Sequence, residues 1–152
     1  MDSAGPLLAR PGTLAPASPP RSAAARTTSP PIDFGQPVAV ILVGVLHLIS
    51  DDEDPYAIVA QLMAAAPSGS YLVVTHPASD IDAGAAAEGA RRYNSSVATA
   101  QTRRNFAEVI RLLDGLELVE PGVVQNHRWH PPPGEDVSAY EVAAWAAVGR
   151  KP

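Results

Sequence analysis

The sequence predicts an α/β fold: a sheet of about four strands, mostly parallel, with one antiparallel C-terminal strand, flanked by helices and preceded by a disordered tract. Three observations carry this expectation. Val38–Leu46 is apolar or glycine throughout, rich in β-branched residues and without polar alternation, as expected for a strand buried on both faces of a parallel sheet. A helical pattern over 55–66 and a second apolar run, Ser70–Thr75, follow it, and strand–helix–strand at this spacing is a βαβ unit. The last segment, Tyr140–Gly149, sets Val142, Ala144, Ala146 and Val148 on one face. No helix fits between it and the strand before, so that pair is expected to be antiparallel.

Bulk properties narrow the function. A chain of 152 residues is long enough for one domain with a real core. A net charge of -5 and a pI near 5.2 leave no basic patch for nucleic acid. The absence of cysteine excludes disulfides and thiolate metal sites. No apolar run approaches the ~18 residues of a membrane span, and the N-terminus lacks the apolar core of a secretory signal. A soluble cytoplasmic protein with neither a nucleic-acid nor a membrane partner is therefore expected. Basic residues are nearly all arginine, and Ala and Pro are abundant, which reads as a high-GC coding sequence.

Each element has its own justification. Residues 1–31 are rich in Pro, Ala and Ser and have little to bury, so disorder is expected there. Asp54 is an N-cap and Pro55 fits the first helical position. Ile58, Val59, Leu62, Met63 and Ala66 then share one helix face, and Pro67-Ser68-Gly69 stops the helix. Ala83–Tyr93 reads as a mobile, partly helical cover that Asn94-Ser95-Ser96 interrupts. Asn105-Phe106-Ala107-Glu108 forms a capping box, and Phe106, Val109, Ile110 and Leu113 follow at helical spacing up to Asp114-Gly115. Leu116–Val119 is a third strand, which Val123 and Val124 extend beyond a Glu120-Pro121-Gly122 turn.

Chemistry-bearing side chains gather at the predicted strand ends. His47 ends the first strand and His76 the second, the edge of an open sheet where ligands bind. A metal there would need a third ligand from Asp80 or Asp82, and no ligand spacing supports one. Asp51, Asp52, Glu53 and Asp54 are read as charge favoured by a helix N-terminus. Tyr93, Arg103 and Arg104 are either substrate-lid or solvated residues. His127 and His130 fall in a Pro-rich loop, and Trp129 and Trp145 are read as packing aromatics.

Six stretches, in order, carry a resemblance. They are Pro37–His47 (PVAVILVGVLH), Asp51–Pro55 (DDEDP), Ile58-Val59 with Leu62, Gly69–His76 (GSYLVVTH), Asp114–Val124 (DGLELVEPGVV) and Val148–Pro152 (VGRKP). Over about residues 32–152 the chain resembles the C-terminal half of the S-adenosylmethionine-dependent methyltransferases of high-GC bacteria, which have the Rossmann-like class I fold. The resemblance implies a partial sheet in the spatial order first, second, fourth, third. It implies S-adenosylmethionine as cofactor, bound at Leu46 and His47, and an unknown methyl acceptor, for which His76, Tyr93 and Arg103 are the candidate contacts by their positions. It names no catalytic residue and no metal. The family's glycine-rich loop and ribose-binding carboxylate belong to an upstream half, and no Gly-x-Gly occurs in this sequence. A truncated product, a misplaced start or a shifted frame is therefore expected, with weak or no cofactor binding by the chain alone. The alternative is a non-catalytic fragment or subunit that needs a partner to complete its sheet. Self-association through the exposed edge of the first strand is expected in either case.

Overall fold

The structure, a computed structural model, describes residue 33 and residues 35–152. The expected disorder over 1–31 lies outside the described residues. The elements are β1 (Ala39–Val43), α1 (Pro55–Ala65), β2 (Tyr71–Pro77), α2 (Ala83–Asn94), α3 (Phe106–Arg111), β3 (Glu117–Leu118), β4 (Val124–Gln125) and β5 (Ala144–Arg150). Short 3-10 turns at Leu46–Leu48, Asp51–Glu53 and Asn126–Arg128 join them.

The sheet order is β1-β2-β5-β3, as the resemblance implied, with β4 also paired to β5. β1 lies parallel to β2 in the register Ile41↔Val73. β5 runs antiparallel to β2, β3 and β4, so it alone opposes the rest. The third strand and its extension are separate short strands, because the Glu120-Pro121-Gly122 turn breaks them. The last strand begins at Ala144 rather than Tyr140. Upstream of it, Val142 N–H donates to the Gln125 side-chain oxygen at 3.1 Å and stays outside the ladder.

One face of the sheet carries the core. Val40 and Leu42 of β1, Leu72 and Val74 of β2 and Ala147 of β5 meet Val59 and Met63 of α1 and Leu112 and Leu113 after α3. α1 is started by Asp54, whose carboxylate accepts from Ala57 N–H at 3.0 Å, and Pro55 stands at its first position. Its buried stripe is Pro55, Val59 and Met63, and Leu62 turns outward. α3 is shorter than its apolar pattern suggested, but the Asn105–Glu108 capping box is formed. β5 packs closely on the 113–116 turn at Gly149, where an added Cβ would lie 2.9 Å from Leu116 Cβ.

The opposite face corrects the reading of Val38–Leu46. Ile41 and Val43 are 63% and 54% exposed, so β1 is covered on one side only. Among the described residues no strand pairs with its outer edge. The apolar run is long enough for a doubly buried strand, but nothing described covers its second face.

Candidate functional site

The C-terminal ends of β1 and β2 meet at a cluster of four side chains: His47, His76, Arg104 and Asp51. β1 is followed by Gly44, whose positive φ of 62° lets the chain turn sharply. Gly44 N–H donates to the Thr75 hydroxyl at 3.0 Å, which ties the turn to β2. Leu46 then plugs the core and His47 stands half-buried beside it. Its ring lies edge-on to that of His76, with centroids 6.4 Å apart.

His76 is fully buried. Its Nδ1–H donates to the Pro77 carbonyl at 3.0 Å, and its Nε2 accepts from Arg104 Nη1 at 2.9 Å. These two bonds fix a neutral tautomer. Burial pushes its pKa down to about 4; the bond to Pro77 opposes that, and the guanidinium of Arg104 adds to it. The pKa of His47 is also lowered, first by burial and then by Arg103. Both imidazoles are therefore neutral near pH 7. His47 Nδ1 is buried and has no hydrogen-bond partner among the described residues.

The segment 102–105 is laid across the strand ends. Thr102 N–H donates to His47 O at 2.7 Å, Arg104 N–H to Pro77 O at 3.3 Å, and Ser79 N–H to Arg104 O at 3.1 Å. Arg104 is 1% exposed, not the lid or solvated residue that its polar neighbours suggest. Its guanidinium donates to Leu46 O, Ile49 O and the Asp51 carboxylate, the last at 2.7 Å. Asp51 is thus an ion-pair partner and more than helix-terminal charge. Nothing in the sequence marked this pair, because a tertiary fold alone brings positions 51 and 104 together.

The remaining candidates fall into separate places. Arg103 Nη1 donates to Ala78 O at 3.3 Å, and its side chain reaches beneath α2 at Gly89. It borders a cavity of about 320 Å³ shared with Ile81, Asp82, Ala85, Ala86, Glu141 and Ala143. Tyr93, on the last turn of α2, is exposed and does not line that cavity. Asp80 accepts from Phe106 N–H and Trp145 Nε1–H, and Trp145 packs edge-on to Phe106. His127 and His130 bond the backbone carbonyls of Val137 and Glu120 within their loop. Among the described residues no group of three or more His, Asp or Glu is placed to hold a metal ion. No helix described is long and apolar enough to cross a membrane. A larger cavity, about 360 Å³, lies between α1 and α3, away from the strand ends, where Arg111 sits over the Tyr56 ring at 4.2 Å.

Comparisons with known proteins complete the description. A family model described as S-adenosyl methyltransferase matches residues 17–152. A solved DUF574 family protein from Streptomyces avermitilis MA-4680 is 34% identical, with a TM-score of 0.74, over 80% of this chain and 47% of its own. A candidate methyltransferase from Thermobifida fusca YX is 33% identical, with a TM-score of 0.71, over 79% of this chain and 45% of its own. An O-methyltransferase family 2 protein from Planctomyces limnophilus DSM 3776, 16% identical at a TM-score of 0.50 over 80% of this chain and 33% of its own, shares the fold alone. The chain spans about half the length of the first two structures. No curated protein matches it.

Proposed function

The chain belongs to the S-adenosyl methyltransferase family, and from that membership we propose that it supplies the strand-end half of a site for methyl transfer from S-adenosylmethionine. The observation that carries this reading is the family match over residues 17–152. The residues present fit one wall of such a site. A neutral imidazole with an unpartnered buried nitrogen, His47, is compatible with a neighbouring sulfonium cation, whereas an imidazolium would repel it. When bound, the sulfonium supplies a methyl group already activated by its neutral leaving group.

The chain's own residues divide the work in this reading. Leu46 closes the core beneath the site, and its backbone with that of His47 forms the wall. His47, neutral near pH 7, borders the acceptor and can take a proton from it. Arg103 and the cavity beside α2 hold the acceptor, with Tyr93 at the outer rim. His76 acts through Arg104, since both its ring nitrogens are engaged within the protein. Alignment of donor and acceptor then supplies much of the rate. The glycine-rich loop and ribose carboxylate of such a site are not among these residues, and we take them to come from outside this sequence.

The exposed β1 favours a second reading, in which the chain is a non-catalytic subunit whose sheet another polypeptide completes. The test is nuclear magnetic resonance with S-adenosylmethionine at millimolar concentration. Shift changes confined to residues 44–48 and 102–104 are expected. Changes elsewhere, or none, would count against the methyl-donor wall.

A further inference from the structure

Arg104 is a buried cation that touches neither donor nor acceptor in the proposed reaction. Four acceptors surround its guanidinium: Leu46 O at 3.1 Å, Ile49 O at 3.0 Å, Asp51 Oδ1 at 2.7 Å and His76 Nε2 at 2.9 Å. Three of the four lie in the single stretch Leu46–Asp51. The fourth belongs to the end of β2. The guanidinium therefore bridges the turn after β1 to the neighbouring strand.

No other side chain bonds the carbonyls of Leu46 and Ile49 among the described residues. The turn's two 3-10 pieces are short: Leu48 N–H bonds Val45 O and Ile49 N–H bonds Leu46 O in the first, Glu53 N–H bonds Ser50 O and Asp54 N–H bonds Asp51 O in the second, and Thr102 N–H reaches His47 O from the neighbouring segment. Val45 and Leu48 are exposed, and only Leu46 is buried among the residues of the first piece. The carbonyls of Leu46 and Ile49 would otherwise need other partners. Arg104 is in turn fixed by its own backbone, which bonds Pro77 O and Ser79 N–H beside β2. An arginine is required because a planar fork reaches two carbonyls, a carboxylate and an imidazole together, and a lysine ammonium is a point donor.

We propose that Arg104 is a positioning residue, pinning the Leu46–Asp51 turn to the end of β2 and so setting where the His47 imidazole stands. The proposal rests on the methyl-transfer reading only for the use of that position; the pin is a property of the free chain. The carboxylate of Asp51 is 70% exposed, so the buried charge is anchored mainly by neutral acceptors. That makes the acceptor nitrogen of His76 part of the device.

Amide hydrogen exchange of the whole chain, without any methyl donor, tests it. In Arg104→Lys the amides of Leu48, Ile49 and Thr102 are expected to exchange at least about tenfold faster, while those of Val74 and Ala147 keep their rates. His76→Leu should loosen the same amides. His76→Gln, which restores an acceptor, should return them towards wild type. Should Arg104→Lys not fold, Asp51→Asn at the exposed end of the pin and the Leu and Gln pair at His76 decide the matter. Unchanged turn amides, uniform acceleration across the sheet, or Gln behaving as Leu would each overturn the proposal. A protected turn in a chain that fails to bind S-adenosylmethionine would sink the methyl-transfer reading and leave the pin standing.

Discussion

Acidification should destabilise this protein through His76 before its carboxylates titrate. The folded-state pKa is about 4, against 6.5 for a free imidazole. The unfolded chain therefore binds a proton below pH 6.5 that the folded chain refuses until about pH 4. Stability is complete above pH 6.5 and falls as pH drops through this window. Each unit is worth about 1.4 kcal/mol, so the whole window costs about 3 kcal/mol. That is a large share of a typical domain stability of roughly 5–15 kcal/mol. Lowered pKa values at Glu53, Glu88 and Asp136 act in the same direction, but only below the ordinary carboxylate range. His47, also lowered, contributes with the same sign within the histidine window. The assay is urea unfolding followed by circular dichroism at several pH values between 7.5 and 4.5, for wild type and His76→Gln. Wild type should lose stability steadily below pH 6.5, and the variant should show a clearly shallower slope. Parallel curves for the two proteins would refute the reasoning, because the acid sensitivity would then lie elsewhere.

Two further outcomes follow from packing. We expect wild-type chain to self-associate through the uncharged β1 edge, and Ile41→Lys, which puts a charge on that open face, to shift it towards monomer; sedimentation showing a monomer for wild type at high concentration would contradict this. Gly149→Ala should cost about 1–3 kcal/mol, because the new methyl meets Leu116 Cβ at 2.9 Å, and a urea midpoint equal to wild type would show that the turn yields freely.

Much of the fold was legible because local signals agreed. Asp54-Pro55 fixed the start of α1, Asn105 and Glu108 that of α3, and the family resemblance placed β5 between β2 and β3. That His47 and His76 meet beyond the C-terminal ends of the first two strands was also legible, but not the end of the first strand: it stops at Val43, and the apolar run continues through Gly44 into a 3-10 turn that carries His47. The burial of Arg104 was not. It stands in Gln101-Thr102-Arg103-Arg104-Asn105, a polar stretch that reads as solvated, and three of its four acceptors are supplied by residues more than fifty positions away. Asp51 was hidden by its acidic neighbours, among which helix-terminal charge is the ordinary explanation. The apolar run of β1 showed that both faces can be buried. It did not show what would bury the face bearing Ile41 and Val43.

In the proposed reading Leu46 and His47 form one wall of a methyl-donor site, and the glycine-rich loop and the ribose carboxylate are not among the residues that build it. Losing hydrogen bonds to a charged partner costs about 1.5–3 kcal/mol each. Two such losses weaken binding roughly a hundredfold or more. Calorimetric titration of purified, monodisperse chain with S-adenosylmethionine measures this directly. Weak binding, well above the low micromolar range, is the predicted result. A dissociation constant in the low micromolar range would contradict the account and make this chain a complete cofactor-binding unit in its own right.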